Sequence, residues 1–106
     1  MRFAVPIFLS LAASLLLSMP ARAEGGYMLQ LASVTTEAAA QKEWKRLQRL
    51  HGALLDDMPL TVRPAEVSGQ GTMFRLQTGP FPNRATADDF CWQLRAEKGD
   101  CLVVKR

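Results

Sequence analysis

The stretch "MFRLQTGPF", residues 73–81, decides the fold. It reads as a strand running into a Gly-Pro turn at Gly79-Pro80, with side chains alternating between two faces. Phe74, Leu76 and Thr78 form a set suited to a core; Met73, Arg75 and Gln77 form the opposite set. A domain this small cannot cover both sides of a sheet, so the second set is left for solvent or a ligand. The neighbouring segments decide which face is covered.

Just upstream, Gly69-Gln70-Gly71 makes a hairpin turn back to "PLTVRPAEVS" (59–68). Pro64 cannot donate to a ladder, so that strand belongs at a sheet edge. Downstream, "PNRATADDFCWQLRAEKG" (82–99) predicts a helix with Asn83 as a candidate cap. Ala87, Phe90, Cys91 and Leu94 share its apolar face, and Gly99 stops it. "CLVVK" (101–105) reads as a last strand. Towards the N-terminus, "YMLQLAS" (27–33) alternates, with Tyr27, Leu29 and Leu31 on one face and Met28, Gln30 and Ala32 on the other. Between them "VTTEAAAQKEWKRLQRLHGALL" (34–55) predicts a helix capped by Thr35 or Thr36. Ala40, Trp44, Leu47 and Leu54 form its core stripe, and Gly52 ends it or loosens its last turn.

The order β-α-β-β-α-β predicts an α+β fold: a four-stranded antiparallel sheet with both helices on one face, of the ferredoxin or RNP type. Strands one and three are central in that arrangement, and strands two and four are edges. The helices cover Leu29, Leu31, Phe74 and Leu76. Met28, Gln30, Met73, Arg75, Gln77, Leu102 and Val104 are left on the open face. A surface mixing apolar groups, amides and a guanidinium is a candidate binding platform.

The first 23 residues read as a cleavable secretory signal. Arg2 supplies the charge, "IFLSLAASLLLSM" the apolar run, and "ARA" (21–23) the processing site. A retained anchor is the competing reading, but that run is shorter than the roughly 20 apolar residues of a spanning helix. Export places the protein in the periplasm as a single domain, residues 24–106. It also removes Arg2 and Arg22, so 13 basic residues become 11 against an unchanged 10 acidic ones. The remaining formal charge of +1 gives no support to nucleic-acid binding by bulk charge. Cys91 and Cys101 have neither CxxC nor zinc spacing. In an exported chain they read as a disulfide, with two buried thiols as the alternative.

Together these stretches resemble the SPOR domain, the sporulation-related repeat of bacterial envelope and division proteins. The resemblance runs over about residues 27–105. It is carried by Gln30-x-x-Ser33 in the first strand, "FRLQTGPF" in the third, and the Cys91–Cys101 spacing. It implies binding of peptidoglycan, specifically glycan strands whose stem peptides amidases have removed, as accumulate where septal wall is split. Carried over by position, Gln30, Ser33 and Arg75 line the glycan site and Leu102 supplies an apolar contact; Met28 and Met73 adjoin them on the open face. Many family members have an aromatic residue where this chain has Met73, and methionine gives a poorer stacking surface.

Blander readings stand beside these. Ser33 is placed to help cap the first helix, and Lys42, Lys45, Arg46 and Arg49 form a basic stripe that suits a solvated helix face. His51, the single histidine, has no nucleophile beside it in sequence, and no carboxylates converge on an evident pocket. Trp44 reads as core; Trp92 is either an edge filler or a partner contact. The sequence thus predicts a non-enzymatic, monomeric binding module needing no cofactor, metal or nucleic acid. The alternative is an envelope protein-interaction domain, with divisome or other envelope proteins as partners for the same face.

Overall fold

The structure, a computed structural model, describes residues 26–106. The expected signal peptide, residues 1–23, lies outside the described residues. The elements are β1 (Tyr27–Val34), α1 (Glu37–Leu50), the single turn α2 (Gly52–Leu55), β2 (Thr61–Val67), β3 (Gly71–Phe81), α3 (Arg84–Ala96) and β4 (Leu102–Lys105). The sheet order is β2-β3-β1-β4 with every pairing antiparallel. The expected α+β fold, central strands and edges are those observed, and Pro64 lies in the edge strand β2.

Local chemistry explains the helix boundaries. Of the two threonines it is Thr36 that caps α1, its hydroxyl accepting from the Ala39 N–H at 2.9 Å. Asn83 caps α3 by accepting from the Thr86 N–H at 2.9 Å. The first helix does not run to Leu54. His51 leaves helical geometry (φ −129°, ψ 40°), and one further turn starts at Gly52. That break rotates the apolar stripe: Leu55 becomes fully buried at 0 % exposure, while Leu54 is only half-buried. At the end of α3 it is Lys98, not Gly99, that adopts the left-handed conformation (φ 70°). Gly99 is needed for another reason, since a Cβ there would lie 3.0 Å from His51 Nε2.

α1 packs on β1 and β3, and α3 packs on β1, β3 and β4, all on one side of the sheet. The core between the layers holds Leu29, Leu31 and Leu76 from strands and Ala40, Trp44, Leu47, Ala87 and Leu94 from helices. Phe74, expected there, is half-buried at the margin and outside that cluster. Phe90 packs against the core with its ring tilted at 52° to that of Phe81, ring centroids 5.3 Å apart. Cys91 and Cys101 form a disulfide with Cα atoms 5.6 Å apart, tying α3 to the start of β4. The Gly-Pro pair does not end the third strand; β3 continues to Phe81, which pairs with Tyr27.

Candidate functional site

The open face is assembled by two changes of register between β1 and β3. From Val34↔Phe74 to Ala32↔Leu76 the strands step together; then Gln30 pairs with Gln77. Two steps along β1 therefore oppose one along β3, and Leu31 is the extra residue of a β-bulge. Strict alternation places Gln30 and Ser33 on opposite faces of a strand. The bulge cancels one alternation, so both share the open face, Gln30 opposite Gln77 and Ser33 opposite Arg75. It also moves Ala32, expected on the open face, to the covered one, where it packs on the core. A second irregularity, between Leu29↔Thr78 and Tyr27↔Phe81, restores the register at the other end.

The unbroken pairings of the two edge strands complete the surface. Across β4, Gln30 meets Leu102 and Met28 meets Val104. Across β2, Gln77 meets Thr61, Arg75 meets Arg63 and Met73 meets Ala65. At the centre the Gln77 Nε2 donates to Gln30 Oε1 at 3.2 Å. Gln77 is buried, so this bond satisfies an amide that has little access to water. It also fixes which edge of the Gln30 amide remains free.

Five of the six site residues expected from sequence come together with exposed surface. Gln30, Met73 and Arg75 are half-buried, Ser33 is exposed, and Leu102 stands out at 55 % exposure. Met28 does not join them. It lies in register with the open face but is only 3 % exposed, its sulfur close against Gly79. Arg63 and Thr61 were absent from the expected set, though both are exposed on the same face. The face was legible, since counting outward from Gly69-Gln70-Gly71 puts residues 61 and 63 on the side of residues 75 and 77. The partner was not, because the turn occupies Ser68–Gln70 and Gly71 already pairs with Val67, which sets residue 63 opposite residue 75.

The helical side has a different character. Arg46 donates to both carboxylate oxygens of Glu43, at 2.9 and 2.7 Å. These bonds hold the Glu43 carboxyl below the usual glutamate range and raise the Arg46 guanidinium further. A groove of about 350 Å³ runs beside this pair, lined by Val34, Lys42 and Arg49 among others. His51 is 6 % exposed, with Nδ1 2.8 Å from Glu97 Oε1 and Gly99 against its other nitrogen. It joins the ends of the two long helices, at the edge of a groove of about 310 Å³ that Ser33, Leu50 and Asp100 also line. Trp92 is 68 % exposed on α3, which excludes the edge-filler reading. Among the described residues no group of three or more His, Cys, Asp or Glu converges as a metal site. No helix among them is long and apolar enough to cross a membrane.

Comparison with known proteins bears on both the fold and the residues. The chain is 31 % identical over 75 residues to the endolytic peptidoglycan transglycosylase RlpA of Escherichia coli O157:H7, which covers 71 % of this chain but only 18 % of that protein. Among solved structures it resembles the peptidoglycan-binding domain of the Bacillus subtilis cell wall lytic enzyme CwlC. That likeness has a TM-score of 0.57 at 16 % identity and covers 85 % of this chain and 99 % of the other. The RlpA SPOR domain of Pseudomonas aeruginosa superposes with a TM-score of 0.55 at 18 % identity, over 76 % of this chain and 100 % of that one. At those identities the two structures speak for the fold alone. A family model, however, matches residues 23–105, nearly everything described above, and by that match the chain belongs to the SPOR domain family.

Proposed function

We propose that this protein is a non-enzymatic peptidoglycan-binding module whose open sheet face recognises glycan strands stripped of stem peptides, in the periplasm and at sites of septal wall splitting. One observation carries the reading: the bulge at Leu31 turns Gln30 and Ser33 to the same side as Arg75. The resulting cluster suits a sugar polymer. An amide and a guanidinium can hydrogen-bond hydroxyl and N-acetyl groups, and Met73 and Leu102 offer apolar surface to pyranose rings. Membership of the SPOR family and the likeness to a peptidoglycan transglycosylase and to the peptidoglycan-binding domain of a lytic enzyme support the same substrate class.

Co-sedimentation with purified sacculi tests the reading. Sacculi are used untreated, after amidase digestion, and after further digestion of the exposed strands. Binding of the oxidised protein is expected to rise in the second preparation and fall in the third. Gln30→Ala/Arg75→Ala is expected to abolish most of the rise while keeping native circular dichroism. A protein partner in the envelope is the second reading, favoured by the exposed indole of Trp92. It predicts no sacculus binding by folded protein, and loss of partner capture in Trp92→Ala.

A further inference from the structure

Arg63 and Arg75 stand directly opposite each other on the open face, in the middle of a β2–β3 register unbroken from Thr61↔Gln77 to Val67↔Gly71. Like charges at directly opposed positions destabilise an antiparallel pair, and an acid is the usual partner. None is present here. Glu66, the single acid in the four strands, lies on the other face opposite Thr72, whose hydroxyl it accepts from. Among the described residues neither guanidinium has a carboxylate within 4.0 Å, in contrast to Arg46 and its Glu43. Arg63 is exposed on an edge strand and Arg75 half-buried on a central one, so both forks are open to a ligand.

We infer that Arg63 and Arg75 together form a carboxylate clamp for the acid group that stem-peptide removal leaves on the glycan. This deepens the glycan reading above and rests on it. Hydrolysis of the amide joining stem peptide to sugar breaks its C–N bond. The amine leaves with the peptide, and water supplies the oxygen that completes a carboxylate on the sugar side. Two planar forks match that anion with charge-assisted hydrogen bonds. A strand still carrying its peptide presents a neutral amide in the same place, with a bulky chain attached. Selection of stripped strands then follows from local charge, without any need for a basic domain. Arg63 becomes a specificity residue of the site.

The test compares two glycan oligosaccharides from amidase-treated wall, one as the free acid and one with each carboxylate converted to its methylamide. Dissociation constants are measured by calorimetry for wild type, Arg63→Gln and Arg63→Lys, each with its disulfide intact. Wild type is expected to prefer the acid by about tenfold or more, a preference that shrinks with added salt. Arg63→Gln is expected to lose most of that preference, its affinity for the acid falling far more than its affinity for the methylamide, and to melt no lower than wild type because a repulsion is removed. Arg63→Lys is expected to fall between them. Equal wild-type affinity for the two oligosaccharides would overturn the clamp and leave the glycan reading intact. Full acid preference in Arg63→Gln would remove Arg63 from the site. Binding of neither oligosaccharide by folded protein would overturn the glycan reading, and this inference with it.

Discussion

On the covered face of the sheet, Leu29 and Leu76 are 0 % exposed beneath Trp44, Leu47, Ala87 and Leu94. On the open face, Gln30, Ser33 and Arg75 gather across the same two strands with no helix above them. The covered face is a matter of apolar volume: side chains of similar size and type can replace one another there at modest cost. The open face is a matter of register, since each of its residues is held in place only by what lies opposite. A change that spares one face can therefore ruin the other, and the two can be separated by experiment.

Leu76→Ala attacks the covered face alone and carries the largest expected effect, about 2–5 kcal/mol of stability. Urea denaturation measures it, and for so small a domain the native state itself is at risk. Breaking the tie between α3 and β4 comes next. Cys91→Ser/Cys101→Ser opens a short loop, sequence separation 10, and is expected to remove roughly 2–3 kcal/mol on the chain-entropy account. Its thermal melt, set beside that of the reduced wild type, gives the value.

Gln30→Ala tests whether the two faces are as separate as they look. It strips the acceptor from the buried Gln77 amide, so roughly 1 kcal/mol of stability is expected to go along with the proposed glycan contact. Ser33→Ala, exposed and without such a partner, is expected to stay within about 0.5 kcal/mol of wild type. Met73→Phe sharpens the open face instead, and calorimetry is expected to show a few-fold tighter glycan binding from a better stacking surface.

The smallest effect lies away from both faces. The pKa of Glu43 is depressed in the folded state by its bonds from Arg46. Its contribution to stability is therefore complete above the unfolded-state value and is lost as pH falls through the lower folded value. The pair lies on an exposed helix surface, so the loss is small. Carboxyl NMR titration is expected to place Glu43 below ordinary glutamates, and Arg46→Ala to restore it.

The element order, the edge position of Pro64, a first cap at Thr35 or Thr36 and a second at Asn83 were legible because each rests on local chemistry or on a two-fold or 3.6-fold period; the cysteine pairing was read from export, with two thiols as the alternative. The bulge at Leu31 was not. Nothing in "YMLQLAS" marks which residue is extra; the extra residue exists only relative to the partner strand. Parity alone thus misassigned Ala32 and gave no reason for Ser33 to stand beside Gln30. The family resemblance pointed to that pair without supplying the geometry. Met28 escaped for a related reason, because alternation gives a face but not what lies against it. The face of Arg63 was recoverable from the hairpin turn, but not its partner, because a turn at Gly69–Gly71 would set it opposite Gln77 and the observed turn at Ser68–Gln70 sets it opposite Arg75.

The strand order has a consequence in time. Among the described residues β1 is the first strand to be made, yet both of its neighbours lie downstream: Tyr27 pairs with Phe81 on one side and Lys105 on the other. A chain emerging N-terminus first carries β1 with two bare edges until β3 has appeared and with one bare edge until β4 follows, while β2 and β3 can already zip through their short turn. Closing contacts so far apart in sequence is slow, and a bare strand edge is a template for wrong partners. A pause in synthesis or threading before Leu102 leaves β1 as an exposed edge, with Gln30 lacking its β4 neighbour. The moment at which the four-stranded sheet, and with it the Gln30–Leu102 pairing on the open face, is complete is set by the arrival of four residues, 102–105.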